Sequence, residues 1–199
     1  MKFDTTTAAI VTGGSSGLGK ASAEALAAVG MKVAIFDVNA EKGEAIAQAI
    51  GGVFCNVDVT SEDSVLAGFE KARAAHGQER VTVHCAQISK RGKTVGWNKE
   101  KQAYTRLSTE DYAFSAEGIL VASYRIASIS ALGMASLEPL EDGERGVITL
   151  TAGASKMLVA SNRPPRPTST MQTSAGVSAK ARKASTVVIS KKLIGCPSL

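Results

Sequence analysis

Histidine and cysteine are scarce in this chain, two and three residues among 199. Cys55, Cys85 and Cys196 are odd in number and follow no metal-ligand spacing. Neither a disulfide framework nor a metal site is expected, and a reducing cytoplasm is the simplest setting. Aromatic residues make up 5% of the chain, and none follows Tyr124. Single-stranded nucleic acid is gripped by aromatics interleaved with cations, so no nucleic-acid partner is expected. No apolar run approaches a membrane span of about 20 residues. Met1-Lys2-Phe3-Asp4 opens no signal-peptide core, and no membrane partner is expected. Acidic residues stop at Glu144. Residues 1–144 hold 14 Lys and Arg against 18 Asp and Glu; residues 145–199 hold 9 Lys and Arg and no acid. That final segment reads either as a solvated, poorly ordered basic tail or as an anion-binding one.

What is present points to an α/β protein. A chain of 199 residues, 44% hydrophobic, is long enough for one domain with a sizeable core. The apolar run Ala8-Ala9-Ile10-Val11 leads directly into Thr12-Gly13-Gly14-Ser15-Ser16-Gly17-Leu18-Gly19. A strand that ends in a glycine-rich turn and restarts as a helix is suited to holding phosphate. The glycines let the backbone turn tightly and approach a pyrophosphate, and the helix start aims free N–H groups at the anion. Asp37 follows Gly19 by 18 residues, at the end of a second apolar run, where a ribose-binding carboxylate belongs. The motif predicts a dinucleotide site.

Elements alternate from there. Strand Ala8–Thr12 precedes a helix over 17–29, with Leu18, Ala21, Ala25, Leu26 and Val29 on its expected buried face and Gly30 as its stop. Strand Lys32–Asp37 precedes a helix over 40–50 capped by Asn39. Strand Val53–Val57 precedes a helix over 62–75 capped by Ser61, and Arg80–Cys85 forms a fourth strand. This order implies a parallel sheet with helices on both faces. Residues 86–107 read as a long polar loop. Ser108 caps a helix running to Leu137, with Ile119, Val121, Ala122, Ile126, Ile129 and Leu132 apolar enough for burial. Gly146–Thr151 is a fifth strand. Beyond Ala152 the pattern dissolves: Pro164, Pro165 and Pro167 exclude a helix, and Thr186–Ile189 is the one strand candidate.

These motifs resemble the short-chain dehydrogenase/reductase family, and within it the type-2 3-hydroxyacyl-CoA dehydrogenase branch, over about residues 6–152. Thr12–Gly19 matches the family's TGxxxGxG loop in full. The resemblance implies a Rossmann-like doubly wound parallel sheet of order 3-2-1-4-5. It implies NAD as cofactor, contacted by Gly13, Ser15, Ser16, Gly17, Leu18, Gly19, Asp37, Asp58, Val59, Cys85 and Ala86. Asp37 would take the adenosine ribose hydroxyls, and its charge would repel a 2′-phosphate, favouring NAD over NADP. Asp58-Val59 would lie at the adenine edge. The implied substrate is a secondary alcohol or a 3-hydroxyacyl-CoA, and the implied assembly a homo-oligomer pairing through the long helix. The resemblance divides the chain into a Rossmann-like NAD-binding domain, 1–152, and a basic, acid-free tail, 153–199.

The departures from the family fall on its active site. A glycine after the fourth strand is Gln87 here, in His84-Cys85-Ala86-Gln87. The family's helix Asn falls at Ile119, its substrate-orienting Ser at Gly153, and its Tyr-x-x-x-Lys pair at Gly176–Lys180. Lys180 is then the one remaining candidate catalytic residue, or an ordinary surface lysine without a phenol to tune. His84 is either a base or a hydrogen-bonded core residue, and Tyr124 matches an aromatic packing position. Relatives continue through further strands and a substrate-covering loop, so the fifth strand is expected to lack a neighbour. A C-terminal segment of different origin, such as a shifted reading frame, is one account of residues 153–199. Three functions stay open: an NAD-dependent oxidoreductase of low activity, a non-catalytic dinucleotide binder, and an anion or nucleic-acid binder acting through the tail.

Overall fold

The structure, a computed structural model, describes residues 4–152 and 185–188. Four strands, β1 (Ala8–Thr12), β2 (Lys32–Asp37), β3 (Val53–Asn56) and β4 (Val81–His84), alternate with helices α1 (Gly17–Ala28), α2 (Ala40–Ala49) and α3 (Glu62–His76). A hairpin follows, β5 (Val95–Asn98) and β6 (Ala103–Arg106). One continuous helical run comes next: α4 (Thr109–Ala116), a π-helical turn at Glu117–Val121, and α5 (Ala122–Ala135). Strand β7 (Val147–Ala152) returns to the sheet, and β8 (Ser185–Val188) lies at its edge.

The sheet order is β3-β2-β1-β4-β7-β8. Its first five strands are parallel and reproduce the 3-2-1-4-5 expectation, the hairpin strands being numbered in between. The expected bare edge on the fifth strand is corrected. Residues 185–188 pair antiparallel with β7, Thr149 opposite Val188 and Ala152 opposite Ser185.

The strands are apolar on both faces because both are covered. Ile10, Ala34, Phe36 and Cys55 point to one side, where they meet Val65, Phe69 and Ala72 of α3 and Ala122 and Ile126 of α5. Phe36 and Phe69 pack edge to face, their ring centres 5.3 Å apart. Ala9, Val11, Val33, Ile35, Phe54 and Val81 point to the other side, against Ala23 of α1 and Ala47 of α2. Helix entries follow local chemistry. The side chains of Asn39, Ser61 and Ser108 accept hydrogen bonds from the backbone N–H groups of Lys42, Ser64 and Asp111. Each satisfies a donor that the first turn leaves unpaired.

Four expectations change. The buried stripe of α1 is Gly19 and Ala23, not the predicted Leu18–Val29 face, and Leu18 and Val29 are half exposed. An alanine-rich helix carries apolar residues all round, so periodicity does not choose the face. The supposed loop 86–107 contains the β5–β6 hairpin, with Trp97 and Tyr104 paired edge to face across it. Cross-strand pairs of this kind stabilise a hairpin, and a short exposed one leaves little hydrophobic alternation to read. On the long helical run Ala122, Ile126, Ser130 and Met134 are buried, whereas Leu132 and Tyr124 are 78% and 74% exposed. Tyr124 is thus not a core residue. Finally, the 27-residue run Thr109–Ala135 contains an 18-residue window of mean hydropathy 1.4, and is long and apolar enough to cross a membrane by length and composition alone. It contradicts the reading that no run approaches that length. Here one face of it packs on the sheet.

Candidate functional site

The carboxyl ends of the parallel strands open into a cleft of about 430 Å³. Its walls come from five segments: Gly13 and Ser16–Gly19 after β1, Asp37 at the end of β2 with Val38, Val57–Val59 after β3, Cys85–Ile88 after β4, and Thr151 of β7. In open α/β sheets this position, where the strand order reverses, is the usual ligand crevice.

The glycine turn forms the middle of the cleft. Gly13 has φ +67°, and a Cβ on it would come within 2.9 Å of the Ala86 amide nitrogen. A Cβ on Gly19 would fall on the carbonyl of Gly13. Only glycine lets the turn lie this close to the end of β4 and the helix this close to the turn. Over Gly17, by contrast, a Cβ would meet nothing within 4 Å, so the space is open. Ser16, the N-cap of α1, makes no side-chain cap bond, unlike Asn39, Ser61 and Ser108. The first-turn N–H groups of α1 therefore face the cleft without a side-chain acceptor, at the positive end of the helix dipole.

Asp37 stands beside this turn. One carboxylate oxygen accepts the Ser15 N–H at 3.1 Å, and the other accepts the Asn39 N–H at 3.0 Å. Each oxygen keeps a further lone pair facing the cleft. Asp58 is turned toward Thr60, whose hydroxyl and N–H both donate to Oδ1, at 2.7 and 2.9 Å. Those two bonds hold its carboxyl below the usual range, with a smaller contribution from Arg125. Arg125 of α5 donates to the carbonyl of Val59 at 2.7 Å and to Glu117 at 3.0 Å, tying the loop after β3 to the long helix. Sequence reasoning missed Arg125, since nothing in its neighbours signals a partner 66 residues away.

Thr12 organises the floor. Its hydroxyl oxygen accepts the N–H groups of Cys85 and Ala86, both at 3.1 Å, and lies 2.7 Å from His84 Nδ1. With both lone pairs engaged, the hydroxyl proton goes to Nδ1, which places the imidazole proton on Nε2. Nε2 has no partner among the described residues. Burial pushes the His84 pKa down to about 4. A fully buried, neutral imidazole outside the cleft is the hydrogen-bonded core residue, not the base. Cys85 does line the cleft, but burial pushes its thiol up, opposed only in part by Thr151.

The structure thus brings Gly13, Ser16, Gly17, Leu18, Gly19, Asp37, Asp58, Val59, Cys85 and Ala86 together around one cleft. Ser15 is buried and stands behind it, holding Asp37 through its N–H. Lys180, with Gly153 and Gly176, lies outside the described residues. Ile119 sits on the π-helical turn, a feature common near functional sites. There Gly118 packs against Ile88 so closely that a Cβ would strike its carbonyl.

A doubly wound sheet with a glycine turn, an acidic residue ending β2 and a cleft at the switch point defines a nucleotide-binding class of α/β protein. The family model for short chain dehydrogenases matches residues 7–109, and the chain belongs to that family. It is 40% identical over 145 residues to 3-hydroxyacyl-CoA dehydrogenase type-2 of Drosophila melanogaster, covering 72% of this chain and 55% of that one. The corresponding Homo sapiens protein is 36% identical over 146 residues, covering 72% and 54%. The crystal structure of 3-hydroxyacyl-CoA dehydrogenase type-2 from Mycobacterium avium superposes with a TM-score of 0.66 at 33% identity, covering 75% of this chain and 58% of that one. The chain spans about half the length of the relatives it matches.

Proposed function

We propose that this protein binds NAD in the cleft and is an oxidoreductase of the dehydrogenase type, acting on a secondary alcohol or a 3-hydroxyacyl thioester. One observation carries the nucleotide reading: the uncapped start of α1, the open space over Gly17 and the carboxylate of Asp37 converge in a single cleft. The first-turn N–H groups of Gly17, Leu18 and Gly19 suit a pyrophosphate. The free lone pairs of Asp37 suit the two ribose hydroxyls, and its charge disfavours a 2′-phosphate. Val57 and Val59, flanking Asp58, offer apolar contacts for adenine, and Arg125 holds the Val59 carbonyl. When bound, NAD supplies the hydride acceptor. The thioester substrate is supported by the names of the relatives, and a homo-oligomer by family resemblance.

Residues on this chain do less for the proton. No tyrosine stands four residues before Lys180. The loss of a general base typically costs about 10²–10⁴-fold in rate, so slow turnover is the expected result. The non-catalytic reading shares the same cleft and differs only in turnover.

Calorimetric titration with NAD and NADP, paired with a reductase assay on a 3-ketoacyl thioester, tests this reading. NAD is expected to bind more tightly than NADP, and Asp37→Ala is expected to remove that preference. Equal affinity for both dinucleotides in the wild type would sink the assigned role of Asp37. Turnover within tenfold of an intact relative would show that another group supplies the base.

A further inference from the structure

Gln87 follows the end of β4, where the family resemblance leads one to expect glycine, and the structure shows what its side chain does. Cys85 and Ala86 are pinned by their N–H bonds to Thr12, so residue 87 is the first one free to leave the floor of the cleft. The Gln87 side-chain amide donates to the carbonyl of Thr151 at 2.6 Å. Thr151 is itself held, its hydroxyl donating to the carbonyl of His84 at 3.0 Å. The amide therefore bridges the ends of β4 and β7 and lines the cleft there.

The strand order gives this bridge its meaning. Asp37 ends β2, Asp58 follows β3 and the glycine turn follows β1. With strands about 4.8 Å apart, the adenosine and pyrophosphate of a dinucleotide extend from β3 to β1. The second nucleoside must continue over β4 and β7, where the bridge lies.

We propose that Gln87 sets the ligand of this cleft: with its amide on Thr151, the cleft takes an adenine nucleoside diphosphate as it stands, and a full dinucleotide only when that bridge opens. The proposal rests on the nucleotide reading of the cleft. Opening the bridge is a conformational cost carried by NAD and not by ADP, so it lowers the apparent affinity for NAD alone.

Calorimetric titration of the wild type, Gln87→Ala and Gln87→Gly with ADP and with NAD tests the inference. ADP is expected to bind all three equally. NAD is expected to bind both variants about three- to tenfold more tightly than the wild type, the range one displaced hydrogen bond supports. A parallel thermal unfolding scan shows that each variant is folded at the titration temperature. Equal ADP binding with no gain in NAD affinity overturns the role of Gln87 and leaves the nucleotide reading standing. A gain in Gln87→Gly but not in Gln87→Ala overturns the amide bridge, because the Cβ alone would then be the obstacle. ADP bound by none of the three overturns the nucleotide reading and this inference together.

Discussion

The β1–β3 side of the molecule and the long-helix side are assembled differently. Around β1, β2 and β3 each strand is apolar on both faces, and α2 and α3 enter through their own side-chain caps. Along Thr109–Ala135 the contribution to the core narrows to a few side chains of α5, and α4 buries none. Tyr112, Leu120, Tyr124 and Leu132 stand 67–78% exposed on this run. The comparison teaches that apolar composition is not burial. A central strand has no face left for solvent, whereas a helix buries one stripe and leaves the remainder to whatever surrounds it.

The largest effect that tests this contrast is a core truncation set against a helix truncation. Phe69 is 1% exposed, packs on Phe36 and carries the Arg73 guanidinium 4.8 Å above its ring. Phe69→Ala is expected to cost about 3–5 kcal/mol in urea denaturation. Tyr124→Ala is expected to change stability by no more than about 0.5 kcal/mol. A cost for Tyr124→Ala that equals the core value and grows with protein concentration would break the contrast and place the seam of the proposed homo-oligomer on this outer face.

Next in size is the pH dependence contributed by His84. Its folded pKa is pushed from 6.5 down to about 4 by burial. Between those values the unfolded chain binds the proton and the folded chain does not. Stability therefore rises with pH through that window, is complete above pH 6.5, and is lost as acid approaches pH 4. The full span is on the order of 3 kcal/mol. His84→Asn should flatten this part of the stability profile measured by denaturant titration from pH 4 to 7.5. An unchanged slope would mean that His84 takes up its proton over the same pH range in the folded and unfolded chains.

The smallest effects separate the helix caps. Ser61→Ala removes the bond to the Ser64 N–H and is expected to cost about 1 kcal/mol. Ser16→Ala removes no cap bond and should cost a few tenths at most. Equal losses in melting experiments would show that Ser16 caps α1 after all, which weakens the view that α1 keeps its N–H groups for a ligand.

Much of the β1–β4 region was legible because its signals are local. Strand β2 was read to the residue, and the caps at Asn39 and Ser61 stand where the sequence placed them. A cap bond spans three residues, and a glycine turn is a property of its own dihedral angles, so neither needs a tertiary partner to be recognised. The candidate site rested partly on local signals, the glycine turn and Asp37, and partly on the family resemblance, which supplied Asp58, Val59, Cys85 and Ala86. The glycine turn, Asp37 and the Cys85–Ala86 segment meet in one cleft. Arg125 on Val59 and the Gln87–Thr151 bridge were not legible, because their partners lie 66 and 64 residues away and carry no pattern of their own. The hairpin escaped for a related reason: its Trp97–Tyr104 pair exists only once two exposed strands have met.

By itself, then, the sequence determined the alternation of strands and helices along the chain, the helix entries and the glycine turn, while the five-strand order came from the family resemblance. The alternation, the entries and the turn depend on backbone geometry and short-range hydrogen bonds that neighbouring residues dictate. The tertiary structure alone decided which face of α1 is buried, that Tyr124 faces outward, and that residues 185–188 cover the edge of β7. It also decided that the Gln87 amide spans the end of the cleft. Each of these depends on a surface brought from far along the chain, and only packing brings it there.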